Sequence, residues 1–169
     1  MQLLIMSDTH GDAEIIQTVK NYYPNVDKVI HCGDSELPYD HPYLQDVDRV
    51  RGNCDYFEDR FPDEVLIELE GDRIFVAHGH HFKVKTTLIP LSYRVEEVDA
   101  SICCFGHSHL LGAEKIGHTL FLNPGSLRKP RGRKEKSFIL LEITEEQYIV
   151  KCYSSENILL EQVTFDKGN

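Results

Sequence analysis

The stretch MQLLIMSDTHGDAEIIQTVKNYYP, residues 1–24, holds the first strand, the first turn and the first helix of the expected fold. An apolar run over residues 3–7 ends at a polar turn, and apolar residues at helical spacing follow over residues 12–23. Asp8 and His10 lie in the turn between them, two residues apart. The sequence therefore predicts an α/β fold with chemically active side chains at the end of its first strand.

Residues of similar chemistry follow later strand-like runs, and they are Asp34, Asn53, His78, His107 and His109. Parallel strands end at one edge of an open sheet, so one parallel sheet would bring these side chains together with the first turn. Carboxylate, amide and imidazole groups bind divalent metals. The full set has too many ligands for one ion and suits two ions that share a bridging carboxylate, which clamp a phosphate and activate water.

The second half of the chain predicts mainly antiparallel strands. Turns that contain glycine separate apolar runs at residues 65–69 and 73–77 and within 111–122, which predicts two hairpins. Pro90 is expected to begin or kink a helix within residues 82–98. The other expected strands cover residues 28–32, 47–51, 101–105, 137–143, 147–153 and 158–165.

The composition is that of a globular protein, with 169 residues, 41% of them apolar and 27% charged, and it suits a single domain over residues 1–169. The formal net charge of -10 opposes capture of long nucleic acids and of anionic membranes. The N-terminus lacks a basic region before its apolar run, so it predicts a strand and not a signal peptide, and no apolar stretch is long enough to cross a bilayer. The five cysteines lack a CxxC pair, so we expect reduced thiols in a cytoplasmic protein.

Short motifs follow the strand-like runs in a fixed order. They are MSDTHGD at 6–12, HCGDSE at 31–36, RGNCD at 51–55, AHGHH at 77–81, FGHSH at 105–109 and NPGS at 123–126. This set resembles the calcineurin-like metallophosphoesterases, and its order and spacing look most similar to the small bacterial and archaeal phosphodiesterase branch. The resemblance implies a four-layer α/β/β/α sandwich of two mixed sheets flanked by helices, with metals at the sheet edge.

The resemblance also implies roles for individual residues, by position. One metal ion would be held by Asp8, His10, Asp34 and His109. The other would be held by Asp34, Asn53, His78 and His107, with Asp34 bridging the two ions. Asp34 and Asn53 would thus take part in catalysis together with His80, which lies beside the ligand His78 in the motif.

The activity implied is that of a binuclear phosphodiesterase, in which a hydroxide that bridges the ions attacks phosphorus. The mixed ligands suit Mn²⁺ best, with Fe²⁺, Zn²⁺, Ni²⁺ and Co²⁺ as alternatives, whereas four histidines disfavour Mg²⁺ or Ca²⁺. We expect a small phosphodiester as substrate and a homodimer or homotetramer. Two alternatives stay open: a phosphomonoesterase on the same site, and a protein-binding scaffold like the retromer subunit that is built on this fold.

Cys54 departs from the family pattern, because many metallophosphoesterases carry histidine after the Gly-Asn pair. A thiol is a weak hydrogen-bond donor with a reference pKa of about 8.5, so it is a poor replacement as a general acid. His80 or a metal-bound water would then have to protonate the leaving group. The alternative is that Cys54 is only a packed small side chain, and other small members of this branch also lack that histidine.

The other histidines and a basic segment allow two interpretations each. His80 and His81 follow a predicted ligand and either contact substrate phosphate or pack their loop. His31 is expected to support the site from the core, whereas His41 and His118 are expected to be solvated. Residues 127–136 contain six of the 18 lysines and arginines, including Arg128. This segment is either a solvated loop or a cationic lip that grips the substrate.

Overall fold

The computed structural model describes residues 1–168, which form eleven strands and two α-helices in that part of the chain. The strands are β1 Gln2–Met6, β2 Lys28–His31, β3 Val47–Arg49, β4 Glu64–Leu69, β5 Asp72–Ala77, β6 Ile102–Cys104, β7 Leu111–Ile116, β8 Thr119–Pro124, β9 Ser137–Ile143, β10 Gln147–Ser154 and β11 Leu159–Asp166. The helices are α1 Ala13–Tyr22 and α2 Ile89–Glu97. Every predicted strand is present, with bounds that differ by a few residues at most.

The strands form two mixed sheets. The first sheet has the order β11-β10-β9-β1-β2-β3, and the second has the order β4-β5-β6-β8-β7. In the first sheet β1, β2 and β3 run parallel, whereas β9, β10 and β11 are antiparallel to their neighbours. In the second sheet β5, β6 and β8 run parallel. Each sheet therefore contributes parallel strands that end in the same direction.

Three apolar clusters fill the spaces between the layers. The largest lies between the sheets and joins residues such as Ile5 and Ile30 to Ile102 of the second sheet. A second cluster packs Ile16 of α1 against the outer face of the first sheet, and a third packs Leu91 of α2 against the outer face of the second. The expected four-layer α/β/β/α sandwich is therefore confirmed.

The helices begin where the sequence predicts a helix start. The Asp12 carboxylate accepts a hydrogen bond from the Ile15 amide at 3.2 Å and so caps α1. Pro90 lies in the first turn of α2, where its missing N–H costs no hydrogen bond. No helix within residues 1–168 has both the length and the apolar character needed to span a membrane.

The ends of β1, β2, β5 and β6 meet at one edge of the sandwich. The Asp8 amide donates to the Gly33 carbonyl at 3.0 Å within the first sheet, and the Gly106 amide donates to the His78 carbonyl at 3.0 Å within the second. A hydrogen bond of 3.2 Å from the His107 amide to the Asp8 carboxylate connects the two sheets at this edge. The predicted ligands thus meet at one edge, but two sheets deliver them and not the single parallel sheet considered from the strand ends alone.

Candidate metal centre

Three turns at this edge share one backbone pattern, in which two residues two positions apart are left-handed. The pairs are Asp8 and His10 (φ 55° and 42°), Asp34 and Glu36 (56° and 54°), and His107 and His109 (67° and 60°). Left-handed backbone costs a non-glycine residue about 1–2 kcal/mol, so this pattern is held by its surroundings. Strained backbone of this kind clusters at functional sites.

Two glycines let these turns approach one another closely. A Cβ atom on Gly106 would collide with the Ser7 hydroxyl and the Asp8 carboxylate. A Cβ atom on Gly52 would collide with the carboxylate and the amide of Asp34. Only glycine fits at these two positions, because the carboxylates fill the space where a side chain would begin.

The Asp8 carboxylate is fully buried, yet one of its oxygens has no hydrogen-bond partner in the described part of the chain, residues 1–168. Its Oδ2 atom accepts hydrogen bonds from the Ser7 hydroxyl and the His107 amide. Its Oδ1 atom lies 3.0 Å from His109 Nε2 and 3.7 Å from His10 Nε2, but neither contact has hydrogen-bond geometry. Burying a carboxylate oxygen without a hydrogen-bond donor costs free energy, and a bound cation would offset that cost.

Three imidazoles turn their Nε2 atoms toward the same space. Their Nδ1 atoms are held from outside by Glu36 Oε2 at 2.9 Å for His10, by the Cys32 carbonyl at 2.7 Å for His78, and by the Lys129 carbonyl at 2.7 Å for His109. These oxygens only accept, so each Nδ1 carries a proton, and each Nε2 is the ring nitrogen left to bind a metal ion. The Nε2 atoms of His10 and His109 lie 3.3 Å apart, so they either share a proton in a hydrogen bond or are close enough to bind one cation together.

Asp34, His78 and Asn53 form the other half of the cluster. His78 Nε2 lies 3.2 Å from Asp34 Oδ2 and 3.1 Å from Asn53 Oδ1, and the Cys54 amide donates to Asp34 Oδ1 at 2.8 Å. Burial raises the pKa of Asp34, but His78 and the Cys54 amide lower it by a larger amount, so its net pKa lies well below the ordinary value. The Asp34 carboxylate is therefore ionised and available to a cation at neutral pH.

Atoms that could bind a metal fall into three groups, each within 4.8 Å. The first contains Asp8, His10 and His109, the second contains Asp8, Asp34 and His78, and the third contains His10, Glu36 and Cys54. His107 adjoins the second group, because its ring centroid lies 5.1 Å from that of His78. The structure thus brings together all seven predicted ligand residues, and the chemistry of this donor set suits divalent metal ions.

His80 and His81 lie beside the ligand cluster. The His80 ring centroid is 5.3 Å from that of His78 and 6.0 Å from that of His107, and its buried Nδ1 atom has no partner within residues 1–168. Burial first, and His78 second, lower the pKa of both His80 and His107 to about 4, so both are neutral at pH 7. His81 stacks on His80 with 3.9 Å between centroids, and its side chain is 60% exposed.

The remaining histidines differ in environment. His31 is buried below the site, where its Nδ1 atom accepts from the Gly33 amide at 3.2 Å and its Nε2 atom donates to the Thr9 hydroxyl at 3.0 Å. His118 is exposed, as expected. His41 is only partly exposed, because its Nδ1 atom accepts from the Tyr43 amide at 3.1 Å and caps a 3₁₀ turn.

The basic segment, residues 127–136, is attached directly to a predicted ligand. The Lys129 carbonyl accepts from His109 Nδ1, and the Arg131 amide donates to the His109 carbonyl at 3.0 Å. Arg128 is exposed and lies 3.7 Å from Asp12, which follows the first turn. Arg133 lies elsewhere, near enough to Cys152 in β10 to lower the pKa of that thiol slightly against the rise caused by burial.

Sequence analysis missed three residues that build the site. The buried Asp55 accepts from the amides of Asp34, Glu36 and Gly52 at 2.7–2.8 Å and joins two turns. Ser126 donates its hydroxyl to the Asp8 carbonyl at 2.8 Å. Glu36 holds His10. All three lie inside the quoted motifs, and this was the signal that could have found them. Their positions, however, are not those of the metal ligands that the resemblance implies.

A four-layer sandwich with this donor set at one edge is the structure of a metallophosphoesterase. The model of the calcineurin-like phosphoesterase superfamily domain matches residues 1–146, and the chain belongs to that family. The probable metallophosphoesterase YsnB of Bacillus subtilis is 44% identical over 154 residues, covering 90% of each chain. The phosphodiesterase YfcE of Escherichia coli K12 is 27% identical over 170 residues, covering 84% of this chain and 88% of the relative.

Solved structures agree with this assignment. A conserved protein from Streptococcus pneumoniae TIGR4, described as a predicted phosphoesterase, superposes with a TM-score of 0.93 at 34% identity and covers 98% and 97% of the two chains. Vacuolar protein sorting 29 of Cryptosporidium parvum has a TM-score of 0.81 at 19% identity, over 98% of each chain, and shows the shared fold alone. The resemblance inferred from the motifs is therefore confirmed.

Proposed function

We propose that this protein is a binuclear metal-dependent phosphodiesterase that hydrolyses a small phosphodiester. The observation that carries the proposal is the buried Asp8 Oδ1 atom, which has no donor among the residues that the structure describes and faces the inward nitrogens of His10 and His109. A relative named a phosphodiesterase, YfcE, supports diester hydrolysis.

We assign the donor set to two ions that would share Asp34, and this is supported by the position of Asp34 Oδ2, 3.2 Å from His78 Nε2 and 4.0 Å from His10 Nε2. Mn²⁺ fits these mixed ligands best, with Fe²⁺, Zn²⁺, Ni²⁺ and Co²⁺ as alternatives. When bound, divalent ions lower the pKa of water and polarise phosphoryl oxygens. The first ion is assigned to Asp8, His10, Asp34 and His109, and the second to Asp34, Asn53, His78 and His107.

Side chains around the ligands are assigned to the substrate. His80, neutral at pH 7, is positioned to donate a hydrogen bond to a phosphoryl oxygen, and His81 is assigned to the outer rim of the site. Arg128 and Arg131 are assigned to attract the anionic diester, because their segment is hydrogen bonded to His109. The chain's net charge of -10 would oppose long nucleic acids beyond this local patch.

The setting of the enzyme is also a proposal. All five cysteines are free and four are buried, which suits the reducing cytoplasm. Self-association into a homodimer or homotetramer is proposed as well, and sedimentation of the purified protein would measure it.

The proposal is tested by metal titration of the purified protein followed by kinetics on an aryl phosphodiester and on the matching monoester. We expect two equivalents of Mn²⁺ to bind and kcat/KM to be higher for the diester. A higher kcat/KM for the monoester would make the protein a phosphomonoesterase. Failure to bind any divalent ion would favour the protein-binding scaffold.

A further inference from the structure

Glu36 lies in the second of the three turns and has no part in the reaction described above. In the first and third turns, both left-handed residues are assigned as metal ligands. In the second turn Asp34 faces the ligand cluster, whereas the Glu36 carboxylate lies behind His10, with Oε2 2.9 Å from Nδ1. The two nitrogens of an imidazole face different directions. Glu36 therefore cannot keep this hydrogen bond and also bind the ion that His10 Nε2 faces.

His10 differs from the other two oriented histidines in the charge of its outer partner. His78 and His109 donate Nδ1–H to neutral backbone carbonyls, whereas His10 donates to a carboxylate. A charged acceptor holds the imidazole tautomer more strongly and makes the inward nitrogen a better electron donor.

Besides His10, the Cys54 thiol lies within 4.8 Å of this carboxylate. The His10 contact is the only side-chain hydrogen bond that Glu36 makes within residues 1–168, and no lysine or arginine there pairs with it. The Glu36 amide donates separately to Asp55 Oδ1 at 2.7 Å, so the turn stays anchored when the side chain is changed. This separation of the backbone role from the side-chain role makes Glu36 testable by mutation.

We propose that Glu36 is a positioning residue that sets the affinity of the ion assigned to Asp8, His10, Asp34 and His109. The inference rests on the proposed two-ion site. Glu36 fixes the proton of His10 on Nδ1 and directs the Nε2 lone pair to the cation. Loss of such an outer partner typically weakens metal binding about 10- to 100-fold.

The experiment compares Glu36→Ala and Glu36→Gln with the matched control Glu14→Gln, an exposed residue of α1. Competition with a chelator measures the affinity of each Zn²⁺ ion, and ¹⁵N NMR of labelled histidine reports the tautomer of His10 in the metal-free protein. We expect Glu36→Ala to weaken one ion about 10- to 100-fold, to leave the other unchanged, and to mix the two tautomers. Glu36→Gln should lose less, because its amide oxygen still accepts from Nδ1–H, and the control should match the wild type.

Two results would overturn the proposal. One is wild-type affinity for both ions in Glu36→Ala. The other is equal weakening of both ions in Glu36→Ala and Glu36→Gln with a lower melting temperature, which would assign the side chain to the stability of the turn. A wild-type protein that binds fewer than two ions would instead refute the proposed function, and the His10 tautomer would still decide whether Glu36 orients that ring.

Discussion

Strand β5 connects two buried carboxylate sites that differ in one respect. At its first residue, Asp72 Oδ1 accepts from the hydroxyls of Tyr148 and Ser101, and Asp72 Oδ2 accepts from Lys167 Nζ at 2.7 Å. Beyond its last residue, His78 faces Asp8, whose Oδ1 atom has no donor at all within residues 1–168. The chain satisfies the first carboxylate completely and leaves the second incomplete.

The direction of the pKa does not distinguish the two sites. Burial raises the pKa of Asp72 and of Asp8, and in both cases neighbouring side chains, first Lys167 for Asp72 and first His109 for Asp8, lower it to a net value below the ordinary one. The identity of the partners does distinguish them, because Lys167 brings a charge to Asp72 whereas Asp8 Oδ1 faces imidazole nitrogens. A buried carboxylate with its own donors stabilises the fold, whereas one that faces imidazole nitrogens is available to a cation.

The largest expected effect follows from Asp34→Asn. The change removes the anionic ligand assigned to both ions, while its amide oxygen can still accept from the Cys54 amide as Asp34 Oδ1 does. We expect metal occupancy to fall and turnover to drop by about 100-fold or more, since even an outer-sphere change costs about 10- to 100-fold. Metal analysis of the purified variant, together with kcat, measures both.

The melting temperature of metal-free Asp34→Asn should fall modestly, because the folded surroundings lower the pKa of Asp34 and so favour its ionised form at neutral pH. Two full equivalents of metal with unchanged turnover would show that Asp34 is not the shared ligand, and the assumed difference between the two ends of β5 would then be wrong.

Asp72→Asn should produce the opposite result, a loss of stability without a loss of metal. The variant weakens the charged hydrogen bond to Lys167, so we expect the free energy of unfolding to fall by about 1–3 kcal/mol. Metal content and turnover per folded molecule should stay at wild-type values. Urea unfolding measures the first quantity, and metal analysis the second.

The pH dependence of the free energy of unfolding gives a second test of Asp72. The pKa of Asp72 in the folded protein lies below the ordinary value of about 3.9, so its contribution to stability is present at neutral pH and is lost as the pH falls through that lowered pKa. Wild-type stability should therefore decrease more steeply in acid than the stability of Asp72→Asn. Parallel acid limbs, or loss of bound metal from the variant, would contradict the assignment of Asp72 to the fold.

The sequence predicted the ligand end of β5 better than the other end. Ligand residues fall in short motifs after strands, and period-two and helical patterns placed those strands and helices. Asp72 binds Tyr148 and Lys167, which lie 76 and 95 positions further along the chain. No pattern in the sequence links these residues. Glu36 and Ser126 were missed for a similar reason, since their contacts depend on how separate turns pair in space.

Lysine and arginine side chains also differ between the two ends of β5, and changing those near the metal centre should have a moderate effect on KM. Lys167 is bound to Asp72, whereas Arg131 pairs with no carboxylate within residues 1–168 and Arg128 is only 3.7 Å from Asp12. The double change Arg128→Gln and Arg131→Gln should raise KM for an anionic diester roughly two- to tenfold, because each exposed ion pair contributes about 0.2–1 kcal/mol. The salt dependence of KM should also become flatter.

Lys28→Gln is the matched control, because Lys28 forms an exposed pair with Asp48 on β3 and belongs to no proposed contact with substrate. An unchanged KM at low salt in the double variant would return residues 127–136 to the alternative of a solvated loop.

The smallest effect is expected at Cys54, which lies among the ligands and donates its backbone amide to Asp34. Burial raises the pKa of the Cys54 thiol to about 11, with Asp34 adding to the rise, so the group is a neutral and weak donor at pH 7. Cys54→Ala should therefore change kcat by less than about threefold.

If little assists departure of the alkoxide, the dependence of turnover on the leaving group will show it. Turnover should depend steeply on the acidity of the leaving group, with activated aryl diesters much faster than alkyl ones, in the wild type and in Cys54→Ala alike. Cys54→His should make the dependence less steep if the imidazole reaches the leaving oxygen. A loss of orders of magnitude in Cys54→Ala, with fold and both metals retained, would assign the thiol a direct role. The leaving-group series in that variant would then decide whether the role is proton donation, because only a lost proton donor penalises alkyl leaving groups more than aryl ones.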